Sequence, residues 1–399
     1  MPKLSVRDLD VRGKRVLVRV DFNVPTENRG GKVRITDDTR IRESLPTVNY
    51  LRKQGAKTIL MSHFGRPNGK SVPKYSLRPI GEHLHSLIHQ PVIFSHDTIG
   101  EVPEKIIQHM ENGDVALLEN VRFQQEEEAN DPKFAEALAK LGDLYVNDAF
   151  GAAHRAHASV EAIVHLVPHA GAGLLMEKEL RYLGEALSNP ERPFMAVLGG
   201  AKVSDKIEVI ENLITCVDRL LIGGAMAYTF FKAQDIPVGQ SLVEDDKLDA
   251  ARDILARAQQ RGLQLLLPVD HVVAAKPEAG VPTETLKVGD ASIGERMGLD
   301  IGPATVAAYT QTLKDAKTVV WNGPMGVFEI DAFAQGTVGV ARAIADVTGT
   351  TIVGGGDSIA AVTKAGVADR ITHISTGGGA SLEFLGGLVL PGVAALPDK

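Results

Sequence analysis

One unit of pattern recurs eight times along this chain: a short β-rich apolar run, a polar or glycine-rich segment directly after it, then a helical stretch. Arg15-Val-Leu-Val-Arg-Val20 leads into Asp21-Phe22-Asn23-Val24-Pro25, and Thr58-Ile-Leu-Met61 into Ser62-His63-Phe64-Gly65-Arg66-Pro67. Val115-Ala-Leu-Leu118 is followed by Glu119-Asn120-Val121-Arg122, and Leu144-Tyr-Val146 by Asn147-Asp148-Ala149-Phe150-Gly151. Further on, Phe194–Leu198, Leu220–Ile222, Val319–Trp321 and Thr351–Val353 lead into Gly199-Gly200-Ala201-Lys202, Gly223-Gly224, Asn322-Gly323-Pro324 and Gly354-Gly355-Gly356-Asp357. Continuous apolar strands alternating with helices predict an α/β fold whose parallel sheets are covered on both faces. In such sheets ligands bind beyond the carboxyl ends of the strands, where these polar segments fall. Turn chemistry alone explains glycine and polar residues in any one loop. It does not explain why so many of them end in Arg, His, Lys or a glycine run.

A boundary is visible near residues 171–193. A helical pattern from Leu174 to Leu187 is bracketed by Gly171-Ala-Gly173 and Ser188-Asn189-Pro190. The predicted organisation is an N-terminal lobe over 1–173, a connecting helix over 174–189 and a C-terminal lobe over 190–389. A length of 399 residues accommodates two or three domains. The lobes differ in charge. Residues 1–180 hold 24 Lys+Arg against 24 Asp+Glu, with 10 of the 12 His, so the whole net charge of −7 comes from the remainder. That average argues against nucleic acid or an acidic membrane as partner. A single cysteine, Cys216, allows no intrachain disulfide and fits a reducing compartment. Met1-Pro2-Lys3-Leu4-Ser5 has no signal-type apolar run, and no stretch approaches about 18 apolar residues. The expectation is a soluble cytoplasmic protein.

Two motifs are decoys. Gly65-Arg-Pro-Asn-Gly69-Lys70-Ser71 has three residues between its glycines where a P-loop needs four, and no good Gly-x-Gly-x-x-Gly follows an early strand. The residues that carry chemistry form three groups. Arg19, Arg40, His63, Arg66, Arg122, His154 and Arg155 lie on or near strand ends of the first lobe, where forked guanidinium groups suit a small anion. Asp21 and Asn23 add acceptors for hydroxyls, so a small hydroxylated phospho-acid is expected. In the second lobe Ser204 reads as the N-cap of a helix whose first turn carries Lys206. Lys202, Lys206 and the glycines before them suit a polyphosphate. Gly354-Gly355-Gly356-Asp357-Ser358, opening a helix Ile359 to Ala365, again suits phosphate, and Asp357 is the candidate Mg²⁺ ligand. Thr376-Gly377-Gly378-Gly379-Ala380-Ser381 repeats the pattern, and Glu329 is a candidate acceptor for ribose hydroxyls. Glu126-Glu127-Glu128 reads as a solvated helix start. The composite is a phosphotransferase with one substrate on each lobe. A nicotinamide-linked dehydrogenase and a non-catalytic anion-binding clamp are the alternatives.

These residues carry a resemblance. Arg19-Val-Asp21-Phe-Asn23-Val-Pro25, His63-Phe-Gly-Arg66-Pro67, Leu118-Glu-Asn-Val-Arg122-Phe, the run Asn147 to His157, Gly199-Gly-Ala-Lys202-Val-Ser-Asp-Lys206, Trp321 to Glu329 and Gly354-Gly-Gly-Asp357-Ser358 resemble those of phosphoglycerate kinases. The motifs run in the family's order from residue 16 to about 392. The resemblance implies two Rossmann-like three-layer lobes joined by a helix with a cleft between them, and a C-terminal segment, about 390–399, packed back on the first lobe. It implies a monomer that transfers a phosphoryl group between 1,3-bisphosphoglycerate and ADP, giving 3-phosphoglycerate and ATP in glycolysis and gluconeogenesis. By position, Asp21, Phe22, Asn23, Arg40, His63, Phe64, Gly65, Arg66, Arg122 and Arg155 would bind 3-phosphoglycerate. Lys202, Lys206, Glu329, Gly355, Gly356, Asp357 and Ser358 would bind Mg-ADP or Mg-ATP, with Arg40 and Lys202 acting on the transferring group. Closure of the lobes over both substrates is expected. Three positions depart from the family pattern: Phe64 for Leu, Ala152 for Thr, and the loop Glu27–Lys32, whose length varies.

Overall fold

The structure is a computed structural model and describes residues 2–30 and 32–399. Two compact units result, Met1–Arg181 with Val389–Lys399, and Tyr182–Leu388. The division falls inside the helix Leu174–Ser188.

The first unit contains β1 (Arg15–Arg19), β2 (Thr26–Arg29), β3 (Lys32–Ile35), β4 (Lys57–Met61), β5 (Val92–Phe94), β6 (Val115–Leu117), β7 (Leu144–Asn147) and β8 (Ala170–Ala172). Six of these make one parallel sheet in the order β5-β6-β4-β1-β7-β8. Val16, Leu17 and Val18 of β1 are all fully buried, as a strand covered on both faces requires. Val16, Val18, Leu60, Val115 and Val146 share one core with Phe22, Ile41, Leu51 and Phe64. β2 and β3 form a separate antiparallel hairpin across the expected variable loop. Gly31 of that loop, like Met1, lies outside the described residues. The tail Val389–Lys399 rejoins this unit: the Gly392 N–H donates to the Ala153 carbonyl at 2.9 Å and Lys3 Nζ to the Leu396 carbonyl at 2.8 Å.

The second unit contains β9 (Phe194–Leu198), β10 (Arg219–Ile222), β11 (Gln264–Leu266), β12 (Asp270–Ala274), β13 (Glu284–Lys287), β14 (Met297–Ile301), β15 (Thr318–Asn322), β16 (Thr350–Gly354) and β17 (His373–Ser375). Its parallel sheet runs β11-β10-β9-β15-β16-β17. The order reverses between β9 and β15, the kind of switch point where open α/β sheets bind ligands. A small antiparallel sheet, β13-β12-β14, was not expected from the sequence. Trp321, fully buried in this unit's core, donates from Nε1 to the Gly323 carbonyl at 2.7 Å. Its burial contributes about 5 kcal/mol by area and ties the glycine loop after β15 to the core.

Three local expectations are corrected. The helix after Lys206 starts at Ile207, with Lys206 itself at the N-cap. Ser204 does not cap it: its hydroxyl donates to Glu244 Oε1 at 2.5 Å. The helix after the triple glycine starts at Gly356, not Ile359, so Asp357 and Ser358 lie in its first turn. Glu127 is fully buried, not solvated.

Candidate active site

In the first unit the parallel sheet gathers the ends of β1, β4, β6 and β7 on one edge. Arg40 comes from the first turn of the helix Thr39–Lys53. Its Nη1 donates to Asp21 Oδ2 at 2.9 Å and to the Asn23 carbonyl at 3.2 Å. Asn23 Oδ1 accepts from the Gly65 N–H at 2.9 Å. Gly65 in turn offers its carbonyl to Arg122 Nη1 at 3.0 Å. The first three loops are thus bonded to one another. Gly65 sits at φ +61°, and a Cβ there would lie 2.4 Å from the Tyr75 ring. Arg122 Nε lies 3.2 Å from Glu128 Oε1, close enough for an ion pair but misaligned for a hydrogen bond. Arg155 Nε donates to His154 Nε2 at 3.1 Å. Arg66 is exposed and bonds to none of the described residues. Burial, reinforced by Arg19, Arg122, Arg40 and Arg155, holds the His63 pKa well below the usual imidazole range.

Two expectations change here. Phe22 and Phe64 are core side chains, with Phe64 set edge-on to Tyr75 at 6.1 Å, so only their backbone can face a ligand. Arg19 is fully buried: it lies beneath the site, not on it.

The sequence reading missed Asn120, which is fully buried and uses every polar valence it has. Oδ1 accepts from the N–H groups of Phe64 at 3.2 Å and Arg122 at 3.1 Å. Nδ2 donates to the carbonyls of Phe64 at 2.7 Å and Tyr75 at 3.0 Å. Glu119 beside it accepts from Leu77 N at 2.8 Å and Ser76 Oγ at 2.7 Å. The only signal was their place in the run before Arg122.

In the second unit the glycines serve mainly to pack loops against one another. A Cβ on Gly199 would lie 2.2 Å from the Pro324 carbonyl, and one on Gly323 (φ +94°) 2.2 Å from the Gly199 carbonyl. Lys206 is buried and its Nζ donates to Asn322 Oδ1, while Asn322 Nδ2 donates to the Gly354 carbonyl at 2.8 Å. Burial lowers the Lys206 pKa to about 8, against the pull of Asp205 and Asp357. Ser358 is buried with its hydroxyl accepting from the Gly323 N–H at 2.6 Å, so its side chain braces the loop. Lys202 is exposed and bonds to none of the described residues. A cavity of about 380 Å³ is lined by Gly200, Ala201, Gly224, Tyr228, Leu242, His271, Pro324, Glu329 and Asp357, among others. Its walls are mainly apolar, with the carboxyl groups of Asp300, Glu329 and Asp357 among the lining groups. No cluster of three or more His, Cys, Asp or Glu suited to a metal occurs among the described residues. Asp357 is an exposed carboxylate on that cavity, which fits Mg²⁺ carried on nucleotide phosphates, since that ion needs only one or two protein carboxylates.

Comparison with known proteins agrees with this geometry. A family model described as phosphoglycerate kinase matches residues 6–388. A phosphoglycerate kinase of Acidobacterium capsulatum is 58% identical, covering 100% of both chains, and one of Pelotomaculum thermopropionicum is 56% identical over the same shares. The structure of phosphoglycerate kinase from Coxiella burnetii superposes with a TM-score of 0.89 at 41% identity, covering 99% of this chain and 98% of that one. That from Pyrococcus horikoshii superposes at 0.85 with 36% identity, covering 98% of each. Matched over nearly its whole length by the family model and by relatives of the same extent, the chain belongs to the phosphoglycerate kinase family.

Proposed function

We infer that this chain catalyses reversible phosphoryl transfer from 1,3-bisphosphoglycerate to ADP, giving 3-phosphoglycerate and ATP, a step of glycolysis. Beyond family membership, the observation that carries the reading is the group of Arg40, Arg122 and Arg155 around a buried His63 in the first unit. With Arg66 they bind the phosphate and carboxylate of the acid. Asp21 and Asn23 hold Arg40 and the Gly65 loop in place and face the glycerate end. Phe22, Phe64 and Gly65 set the shape of that loop.

The nucleotide is assigned to the second unit. Its base enters the apolar cavity and its ribose meets Glu329. Its phosphates meet Lys202, Lys206 and the first-turn N–H groups at Gly356, Asp357 and Ser358, with Gly355 leading into them. Asp357 would be the protein ligand of Mg²⁺ carried on the nucleotide, which would supply neutralisation of phosphate charge. Cytoplasmic location and a monomeric state belong to the same proposal. Sedimentation velocity tests the second.

No general base is required. The nucleophile in the ATP-consuming direction is the carboxylate of 3-phosphoglycerate, already ionised near neutral pH. It attacks the terminal phosphorus as the bond to the ADP oxygen breaks, and no proton moves. Catalysis then rests on positioning and on neutralising charge that spreads over the transferring oxygens. Arg40 and Lys202 are assigned that charge. A coupled assay for 3-phosphoglycerate-dependent ATP consumption tests the reading; no such consumption, or nicotinamide reduction in its place, overturns it.

A further inference from the structure

Behind the cationic group lies a line of buried polar side chains that the reaction does not use directly. Glu127, Ser159 and Arg19 are each fully buried, and His63 is 5% exposed. Ser159 donates from its hydroxyl to Glu127 Oε1 at 2.6 Å and from its N–H to Oε2 at 2.9 Å. Arg19 Nε donates to the same Ser159 hydroxyl at 2.7 Å, and Nη1 donates to the Val20 carbonyl. Nη2 lies 3.2 Å from His63 Nδ1. Tyr145 fixes the far side by donating to the Ser159 carbonyl at 2.8 Å.

The last contact in the line decides a protonation state. Guanidinium has donors only, so His63 Nδ1 must be the acceptor and carry no proton. The neutral ring then keeps its proton on Nε2. That atom bonds to none of the described residues, so in a ring 5% exposed it is the nitrogen left free to donate to a ligand. Asp21 pulls the other way: its Oδ1 lies 3.9 Å from the same Nδ1 and would favour a proton there. Arg19 is nearer and occupies the position. Arg122, Arg40 and Arg155 add positive charge near the ring, and each of them opposes the imidazolium. A buried Arg19 needs a counter-charge, since an uncompensated interior cation is costly. Glu127 provides it one hydroxyl away.

We propose that Arg19, backed by Ser159 and Glu127, is a positioning residue that fixes His63 as the neutral tautomer protonated on Nε2, so that the ring donates to an anionic oxygen of the bound acid. The functional half rests on the assignment of His63 to the acid site; the tautomer does not. The site thereby gains a directed donor without adding a further charge to the crowd of arginines.

The test is ring nitrogen NMR on the full chain labelled at histidine, with His63 assigned by His63→Gln. The expected result, without ligand, is a protonated Nε2 and a bare Nδ1 from pH 8 down to pH 5.5. A protonated Nδ1, or an imidazolium at pH 6, overturns the proposal, and neither outcome depends on what the enzyme binds. The second variant is Arg19→Met with Glu127→Gln, which removes both buried charges together and so avoids stranding either. There the proton is expected on Nδ1, facing Asp21, and KM for 3-phosphoglycerate rises about tenfold or more while KM for ATP holds. An unchanged tautomer in that variant refutes the role of Arg19. A changed tautomer with unchanged KM refutes the assignment of His63 to the acid site and leaves the tautomer proposal standing.

Discussion

Asn120→Asp exchanges one atom of the side chain that joins the loops bearing Arg66 and Arg122. The volume is kept and Oδ1 can still accept from Phe64 N and Arg122 N. What is lost is Nδ2, which donates to the Phe64 carbonyl at 2.7 Å and the Tyr75 carbonyl at 3.0 Å. An oxygen in its place faces two carbonyls that have lost their donor. Leaving a buried polar group unsatisfied costs about 1–3 kcal/mol, so the pair costs about 2–6 kcal/mol. The segment relieves that cost by moving His63, Phe64 and Gly65 away from Arg122, which disarranges the acid site and nothing in the second unit. If only the lower bound, about 2 kcal/mol, is expressed in binding, KM for 3-phosphoglycerate rises about 30-fold. Steady-state kinetics with each substrate varied in turn, on protein whose melting curve has been recorded, measures this. A wild-type KM for 3-phosphoglycerate, or equal increases in the two KM values, refutes the reasoning.

If Lys206 meets the nucleotide phosphates as proposed, its burial sets a pH limit on that binding. Its amine loses its proton above about pH 8, so affinity for ADP is expected to hold from pH 7 to 8 and to weaken by up to about tenfold per unit above it, with proton uptake visible by calorimetry. A flat affinity to pH 9.5 contradicts this. Burial also raises the carboxyls of Asp148 and Asp300 to about 7. Below about pH 3.8 both are protonated in folded and unfolded chains alike. Between about 4 and 7 the unfolded chain ionises first, so stability falls as pH rises by about 4 kcal/mol for each group and is level above 7. Asp148→Asn with Asp300→Asn should flatten that slope in denaturant midpoints measured across the window; an unchanged slope counts against the assignment. Gly323→Ala puts a methyl 2.2 Å from the Gly199 carbonyl at φ +94°, and should destabilise the second unit by roughly 2–5 kcal/mol and weaken ADP binding. Wild-type melting and affinity would show that the loops do not need the glycine.

The eight apolar runs read from the sequence are all strands of the two parallel sheets, because a strand covered on both faces shows as uninterrupted hydrophobicity. β13 could not be read that way, since of Glu284–Lys287 only Leu286 is buried. Charge-bearing positions on strand ends were legible because topology fixes where those ends go. What the side chains do there was not. Ser204 looks like a cap until Glu244, 40 residues on, takes its hydroxyl. Glu127 reads as solvated between two other glutamates, and only the fold brings Ser159 and Arg19 to it. Arg19 looks like its neighbours in sequence, yet its place at the last residue of a central strand turns it inward beneath His63. The second-unit glycines were expected to admit a ligand, whereas several admit only each other.

In the proposed reaction, transfer proceeds by positioning and charge neutralisation, with Arg40 and Lys202 acting on the moving phosphoryl group and no base. Steady-state kinetics of Arg40→Ala and Lys202→Ala in the ATP-consuming direction decide it. Loss of one such stabilising donor predicts a kcat lower by about 10²–10³-fold, with substrate dissociation constants changed far less. A wild-type kcat in either variant, with the whole effect in binding, would contradict it.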